Sequence, residues 1–128
     1  MDYSASFWVG GHPRAKGSAR VFNGRLVGMD AKTKAWQQQV RLVATREAPD
    51  ELLDVPCYLS CRFVFTPPKK PKFTLAPAVP PDGDKLLRTV MDALTGTIYV
   101  DDSRVIRGSW SKEFGDDEGV DILIYEVE

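Results

Sequence analysis

The residues most capable of chemistry lie between positions 81 and 105. The chain there reads Pro81-Asp82-Gly83-Asp84-Lys85-Leu86-Leu87-Arg88-Thr89-Val90-Met91-Asp92-Ala93-Leu94 and, shortly after, Val100-Asp101-Asp102-Ser103-Arg104-Val105. Carboxylates gather in and around one short helix, in a protein with a single histidine and two cysteines. A donor set of this kind suits a hard, oxygen-seeking cation such as Mg²⁺ or Mn²⁺, and not zinc or copper. Asp82 and Asp84 straddle Gly83 where an extended segment turns into a helix. Residues i and i+2 of an extended backbone point the same way, so both carboxylates face one point, and Gly83 leaves room for a metal or a phosphate. The helix N-terminus adds partial positive charge. Helix capping by itself accounts for Asp84 as an N-cap, but not for Asp82. Of the adjacent pair Asp101-Asp102, only one side chain can point at a given site. If it joins Asp82 and Asp84, the three can hold one or two Mg²⁺ with water completing the octahedra. Such a metal activates a bound water and neutralises a leaving oxygen, and Arg88, one turn beyond Asp84, adds a fixed positive charge for the transition state.

The elements that must position these groups follow from periodicity. Tyr3, Ala5, Phe7 and Val9 alternate with Ser4, Ser6 and Trp8, a strand with one buried face that Gly10-Gly11 ends. Asp30 is placed to cap a helix over about 31 to 47, with Ala35, Trp36, Val40, Val43 and Ala44 as its apolar stripe, closed by Pro49. From Val55 to Thr66 the odd positions are apolar, which predicts a second strand with one buried face. Six prolines between Pro67 and Pro81 then exclude a helix or central strand and leave a long Pro/Lys-rich loop. In the helix of about 84 to 95, Leu86, Leu87, Val90, Met91 and Leu94 fall within an arc of roughly 140° at 100° per residue. Asp84, Lys85, Arg88 and Asp92 share the opposite side, and Gly96 supplies a left-handed cap. Residues 104 to 112 and 119 to 127 read as two strands joined by the turn Phe114-Gly115-Asp116-Asp117-Glu118-Gly119. The order β-α-β-α-β-β predicts one α/β (α+β) domain over residues 1–128, a mixed sheet with two helices on one face.

With 43% apolar and 27% charged residues the composition is that of a folded domain, which excludes disorder of the whole chain. No apolar run approaches the roughly 20 residues of a membrane span, and the start of the chain lacks a signal-peptide plan, so the expected location is the cytoplasm with no membrane partner. Cys57 and Cys61, four apart in a strand, have Cα atoms separated by roughly 13 Å, too far for a disulfide. They are expected as reduced core residues. The net charge of −1 conceals a separation: residues 1–80 hold twelve Lys/Arg against six Asp/Glu, and residues 81–128 hold five against twelve. A basic half can meet a phosphate backbone while the acidic half loads cations, although pairing of the halves across the fold would look the same. Two basic segments are candidates for DNA contact: the loop containing Arg14, Lys16 and Arg20, and the tip Lys69, Lys70, Lys72 and Phe73 of the proline-rich loop. The Phe73 ring is a candidate wedge between bases.

The ordered motifs resemble those of RusA-type Holliday junction resolvases. Pro81-Asp82-Gly83-Asp84-Lys85-Leu86-Leu87-Arg88, Met91-Asp92-Ala93-Leu94 and Asp101-Asp102-Ser103-Arg104-Val105 are similar to that family's Pro-Asp-x-Asp-Asn-x-x-Lys, Asp-Ala-Leu and Asp-Asp-x-x-Val. Val9-x-Gly11-x-Pro13-x-x-Lys16-Gly17-Ser18-x-Arg20 is similar to its opening strand and basic loop. The resemblance implies a homodimeric, Mg²⁺-dependent endonuclease, commonly prophage-borne, that nicks four-way DNA junctions symmetrically. It carries the metal-binding catalytic role onto Asp82, Asp84 and Asp102, the basic catalytic position onto Arg88, and DNA binding onto the loop with Lys16 and Arg20. Two positions depart from the pattern. Lys85 replaces Asn and sets a cation beside the carboxylates; Arg88 replaces Lys and, with a pKa above about 12, keeps charge but cannot transfer a proton. These changes leave a second reading open, a branched-DNA-binding module of the same fold with impaired catalysis.

Overall fold

The structure is a computed structural model that describes residues 3–15, 20–22, 25–27 and 30–127. Strand β1 (Ala5–Gly10) buries Ala5, Phe7 and Val9 and exposes the residues between them, the alternation expected of it. Two three-residue strands, β2 (Arg20–Phe22) and β3 (Arg25–Val27), pair antiparallel just after the basic loop, a pairing that periodicity did not predict. Helix α1 (Ala31–Glu47) starts at Asp30, whose carboxylate accepts the Thr33 N–H at 2.7 Å. Its buried face is Thr33, Trp36, Val40 and Ala44, and Val43 packs at the margin. Ala35, expected in the stripe, is exposed, because at 100° per residue it falls on the far side from that set.

Strand β4 (Cys57–Phe65) buries Cys57, Leu59, Cys61 and Phe63, and both thiols are free and buried. Burial pushes the Cys61 thiol far above its ordinary range, as a core residue requires. Residues 66–82 form the proline-rich connection, with a cis peptide at Pro80–Pro81. Helix α2 (Gly83–Leu94) then buries Leu86, Val90, Ala93 and Leu94, with Leu87 and Met91 at the margin. Gly96 follows at φ +80, the left-handed residue anticipated after this helix. A short 3₁₀ turn (Asp102–Arg104) leads into β5 (Val105–Phe114), and β6 (Gly119–Glu126) completes the chain.

The four long strands form one mixed sheet in the order β1-β6-β4-β5. β6 runs antiparallel to both β1 and β4, while β4 and β5 are parallel, joined by the crossover that contains α2. The turn between β5 and β6 therefore makes no hairpin, since β4 lies between the two strands; Gly115 N–H bonds back to Phe65 O at 3.0 Å. Opposite residues of the antiparallel pairs share a face, so Phe7, Ile122 and Cys61 line up across the sheet. That face meets both helices in one core. Gln37 Nε2 donates to Thr89 O and Arg41 Nη2 to Asp92 O, which ties α1 to α2. The other face carries polar and aromatic residues such as Trp8, Tyr58, Arg62 and Tyr125, with Arg62 paired to Asp121.

Phe63 is wholly buried on the central strand β4, whereas Ile106 on the edge strand β5 is 63% exposed. Phe63→Ala is expected to lower unfolding stability by about 3–5 kcal/mol. Ile106→Ala should change it by less than about 0.5 kcal/mol. Denaturant titration of both variants checks the assignment of the two strands.

Candidate active site

The site is built where the proline-rich connection ends and α2 begins. Helix α2 runs antiparallel to β5: Gly83 lies against the Trp110 ring, and one turn on, Leu87 lies against Gly108. A Cβ at position 83 would overlap the ring carbons of Trp110, so only glycine permits this approach. The packing fixes the start of the helix and thereby places Asp82 and Asp84 on either side of the contact. An open cleft of about 350 Å³ runs there, with Asp82, Gly83, Asp84, Trp110 and Lys112 among its walls.

The helix starts one residue earlier than the motif suggested. Asp82, not Asp84, holds the cap position, in extended conformation, and its side chain makes no capping hydrogen bond. Asp84 sits in the first turn. Asp30 and Asp101, in contrast, are both spent on caps, accepting from Thr33 N–H and Ser103 N–H. Those bonds lower the pKa of each. Capping thus explains Asp101 and leaves Asp82 and Asp84 with exposed oxygens. Lys85, the cation that departs from the family pattern, reaches Asp82 Oδ2 at 3.5 Å, and both side chains are about half exposed.

Two further groups face this cleft that motif reading did not find. Lys112 Nζ donates to Val79 O at 2.6 Å and Pro81 O at 2.8 Å, stitching the end of the proline-rich segment to β5 directly beside Asp82. Burial draws the ammonium pKa below its ordinary value, and the Asp82 charge opposes that shift. Trp110, 46% exposed, presents an aromatic surface to the cleft beside Gly83. Their only sequence signal is position: both stand on the same side of β5, two apart.

Arg88 is exposed one turn beyond Asp84, and no described carboxylate forms an ion pair with it. Asp102 lies elsewhere. It opens the 3₁₀ turn before β5, at the end of the strand opposite to Trp110 and Lys112. Both Asp102 and Asp92 act on the buried Tyr99 hydroxyl, which donates to Met91 O at 2.8 Å. Desolvation first, and these charges second, push that hydroxyl far above its ordinary range. The Asp102 region therefore borders the last turns of α2, roughly 12 Å along the axis from Asp84 at 1.5 Å per residue. Among the described residues no three His, Cys, Asp or Glu side chains converge as a ready metal cage. Arg104 Nε, bonded to Asp54 Oδ1 at 2.8 Å, fixes this second acidic corner.

Of the expected DNA contacts, Lys69, Lys70, Lys72 and Phe73 stand exposed on the proline-rich segment, with Lys72 Nζ 5.6 Å from the centre of the Phe73 ring. Phe73 lines a pocket rather than standing clear of the protein. Arg14 is half-buried. Lys16 lies outside the described residues, and Arg20 opens β2, its side chain likewise outside them.

The mixed-sheet α+β domain thus brings two exposed carboxylates, Asp82 and Asp84, together with Lys112 at one cleft, with Arg88 exposed one turn along the helix. Residues 10–125 match the family model of endodeoxyribonuclease RusA, and the chain belongs to that family. It is also 33% identical over 135 residues to the uncharacterized protein YqaN of Bacillus subtilis (strain 168), a match that covers 94% of this chain and 95% of that one.

Mg²⁺ is commonly held by one or two carboxylates with waters and phosphate oxygens, and the Asp82 and Asp84 oxygens fit that mode. Lys85, 3.5 Å from Asp82 Oδ2, would compete with such an ion for that oxygen. Lys85→Asn is expected to tighten Mg²⁺ binding by up to about fivefold, the scale of one exposed ion pair. Calorimetric titration of both proteins checks this, and equal affinities would remove Lys85 from the account.

Proposed function

We propose that the protein is a structure-selective DNA endonuclease that resolves four-way junctions by paired nicks, with Asp82 and Asp84 as the carboxylates that load Mg²⁺. The observation that carries the reading is the pair of uncapped, exposed carboxylates at the α2 start, held in a cleft with Lys112 and Trp110, in a chain of the RusA endodeoxyribonuclease family. When bound, Mg²⁺ (or Mn²⁺ in its place) supplies an activated water and neutralises charge on the phosphate. Asp82 and Asp84 would hold that ion through their exposed oxygens. Arg88 contributes a permanent positive charge toward the developing charge on phosphate and moves no proton. Lys112 keeps the carbonyls of Val79 and Pro81 in place, so that the Asp82 backbone enters the helix at a fixed angle. Asp102 is the third ligand by the family resemblance, while within a single chain it stands at the other end of α2. The cations Arg14, Lys16, Arg20, Lys69, Lys70 and Lys72 are proposed contacts to the DNA backbone, and a homodimer would present two such sites to a symmetric junction.

The Asp82–Lys85 ion pair and the arginine at position 88 favour a second reading, a module that binds branched DNA but cuts it poorly. The double variant Lys85→Asn, Arg88→Lys, assayed at saturating Mg²⁺, separates the two: cutting that appears where the unaltered protein shows none supports the second reading.

Incubation with a mobile four-way junction and Mg²⁺ tests the first. Symmetric nicks in opposing strands are expected, with little cutting of plain duplex, and Asp84→Asn should reduce cutting by at least about 100-fold while junction binding persists. Equal cutting of duplex, or cutting unaffected by Asp84→Asn, would contradict the proposal.

A further inference from the structure

We infer that the pocket under the proline-rich segment receives an unstacked nucleobase of the strand being cut. The inference rests on the junction-endonuclease reading and extends it to a feature that catalysis does not use. The pocket has a volume of about 200 Å³ and is walled by the rings of Phe65, Phe73 and Phe114 together with proline rings of the 66–82 connection. An engineered apolar cavity of about 150 Å³ accommodates benzene, so a single planar base fits this space.

Three observations identify the occupant. The walls are mostly apolar and aromatic, which suits the faces of a base, since stacking on aromatic rings is tolerant of sequence. Two cations stand at the pocket: Lys72, 5.6 Å from the centre of the Phe73 ring, and Lys112. Positive charge beside an apolar slot matches a ligand whose flat ring is attached to a phosphate backbone, and disfavours a purely apolar ligand. The pocket also adjoins the carboxylate cleft. Ala78, Val79, Pro80 and Lys112 line both, so one thin wall separates the aromatic slot from Asp82 and Asp84. A phosphate at the carboxylates thus leaves a neighbouring base within reach of the slot.

Glu118 and Lys112, the polar groups beside the aromatic walls, are already engaged. Glu118 accepts from Thr66 N–H and Thr66 Oγ1 and is paired with His12 at 3.0 Å, and Lys112 is bonded to two carbonyls. The base is therefore held by stacking and shape, with little reading of its hydrogen-bonding edge. Extrusion of a base is cheapest where pairing is already broken, so the slot favours strands at a branch point over uniform duplex. It gives Phe73 a role as a wall for the extruded base instead of a wedge projecting into the helix.

Photocrosslinking tests this. A four-way junction carrying single 5-iodouracil substitutions at positions flanking the branch point is bound to Asp84→Asn protein and irradiated, and the crosslinked peptides are mapped. Crosslinks are expected at Phe65, Phe73 or Phe114 from a position next to the scissile phosphate. Ala76→Phe, which fills the pocket from the half-buried loop, and Phe73→Ala, which removes an exposed wall, should each lower that yield about tenfold. Crosslinks that map only to other residues, or yields unchanged in both variants, would overturn the inference. A protein that fails to bind the junction at all overturns the parent reading and this one with it, and that failure is visible before irradiation.

Discussion

The approach of Trp110 to Gly83 is the contact on which the site depends. The indole occupies space that any side chain at position 83 would claim, and so only glycine there lets helix α2 seat on β5 in this register. Its apolar residues Leu86, Val90 and Leu94 then enter the core beside Val40 and Ile122, at about 1.5–3 kcal/mol for each fully buried side chain. The same register leaves Asp82 and Asp84 at the rim of the sheet with their oxygens in solvent. Burial of one helix face and exposure of the two carboxylates are therefore one event.

Around this contact the electrostatics are arranged as a near balance. Lys85 and Lys112 stand beside Asp82, and Arg88 follows one turn later. Cations so close reduce repulsion between the carboxylates in the free protein, and they also weaken the pull on a divalent ion. The half-exposed Lys85 side chain can leave at small cost, whereas Lys112 is committed to two carbonyls. The cleft therefore combines one displaceable cation with one fixed cation. The second acidic corner, with Asp101 engaged in a cap and Asp102 beside Tyr99, follows a different logic and lies at the far end of α2.

Local features were the legible ones. The Asp30 cap, the stripe of α2, the left-handed Gly96, the alternation of β1 and β4, and the break imposed by the prolines each depend on neighbours a few residues away, so spacing revealed them. The order of the sheet was not legible, because β5 and β6 are adjacent in sequence yet separated by β4 in space. Strands β2 and β3 are too short for alternation to declare them. Trp110 and Lys112 join the site only through the parallel pairing of β4 with β5 and the seating of α2 over it, a contact between segments about thirty residues apart. The motif pointed to Asp82 and Asp84, which the structure leaves exposed at the helix start. It did not show which carboxylates were already occupied as caps, since that depends on the exact residue at which each helix begins.

The α2 start is the proposed seat of a divalent cation. The most direct measurement is the paramagnetic broadening of backbone amide and indole NMR signals by substoichiometric Mn²⁺. Gly83, Asp84 and the Trp110 indole are expected to broaden first, and Asp82→Asn combined with Asp84→Asn is expected to abolish the effect. Broadening centred on Asp101 and Asp102, or on the turn at Asp116 and Asp117, with the α2 start unaffected would contradict that placement.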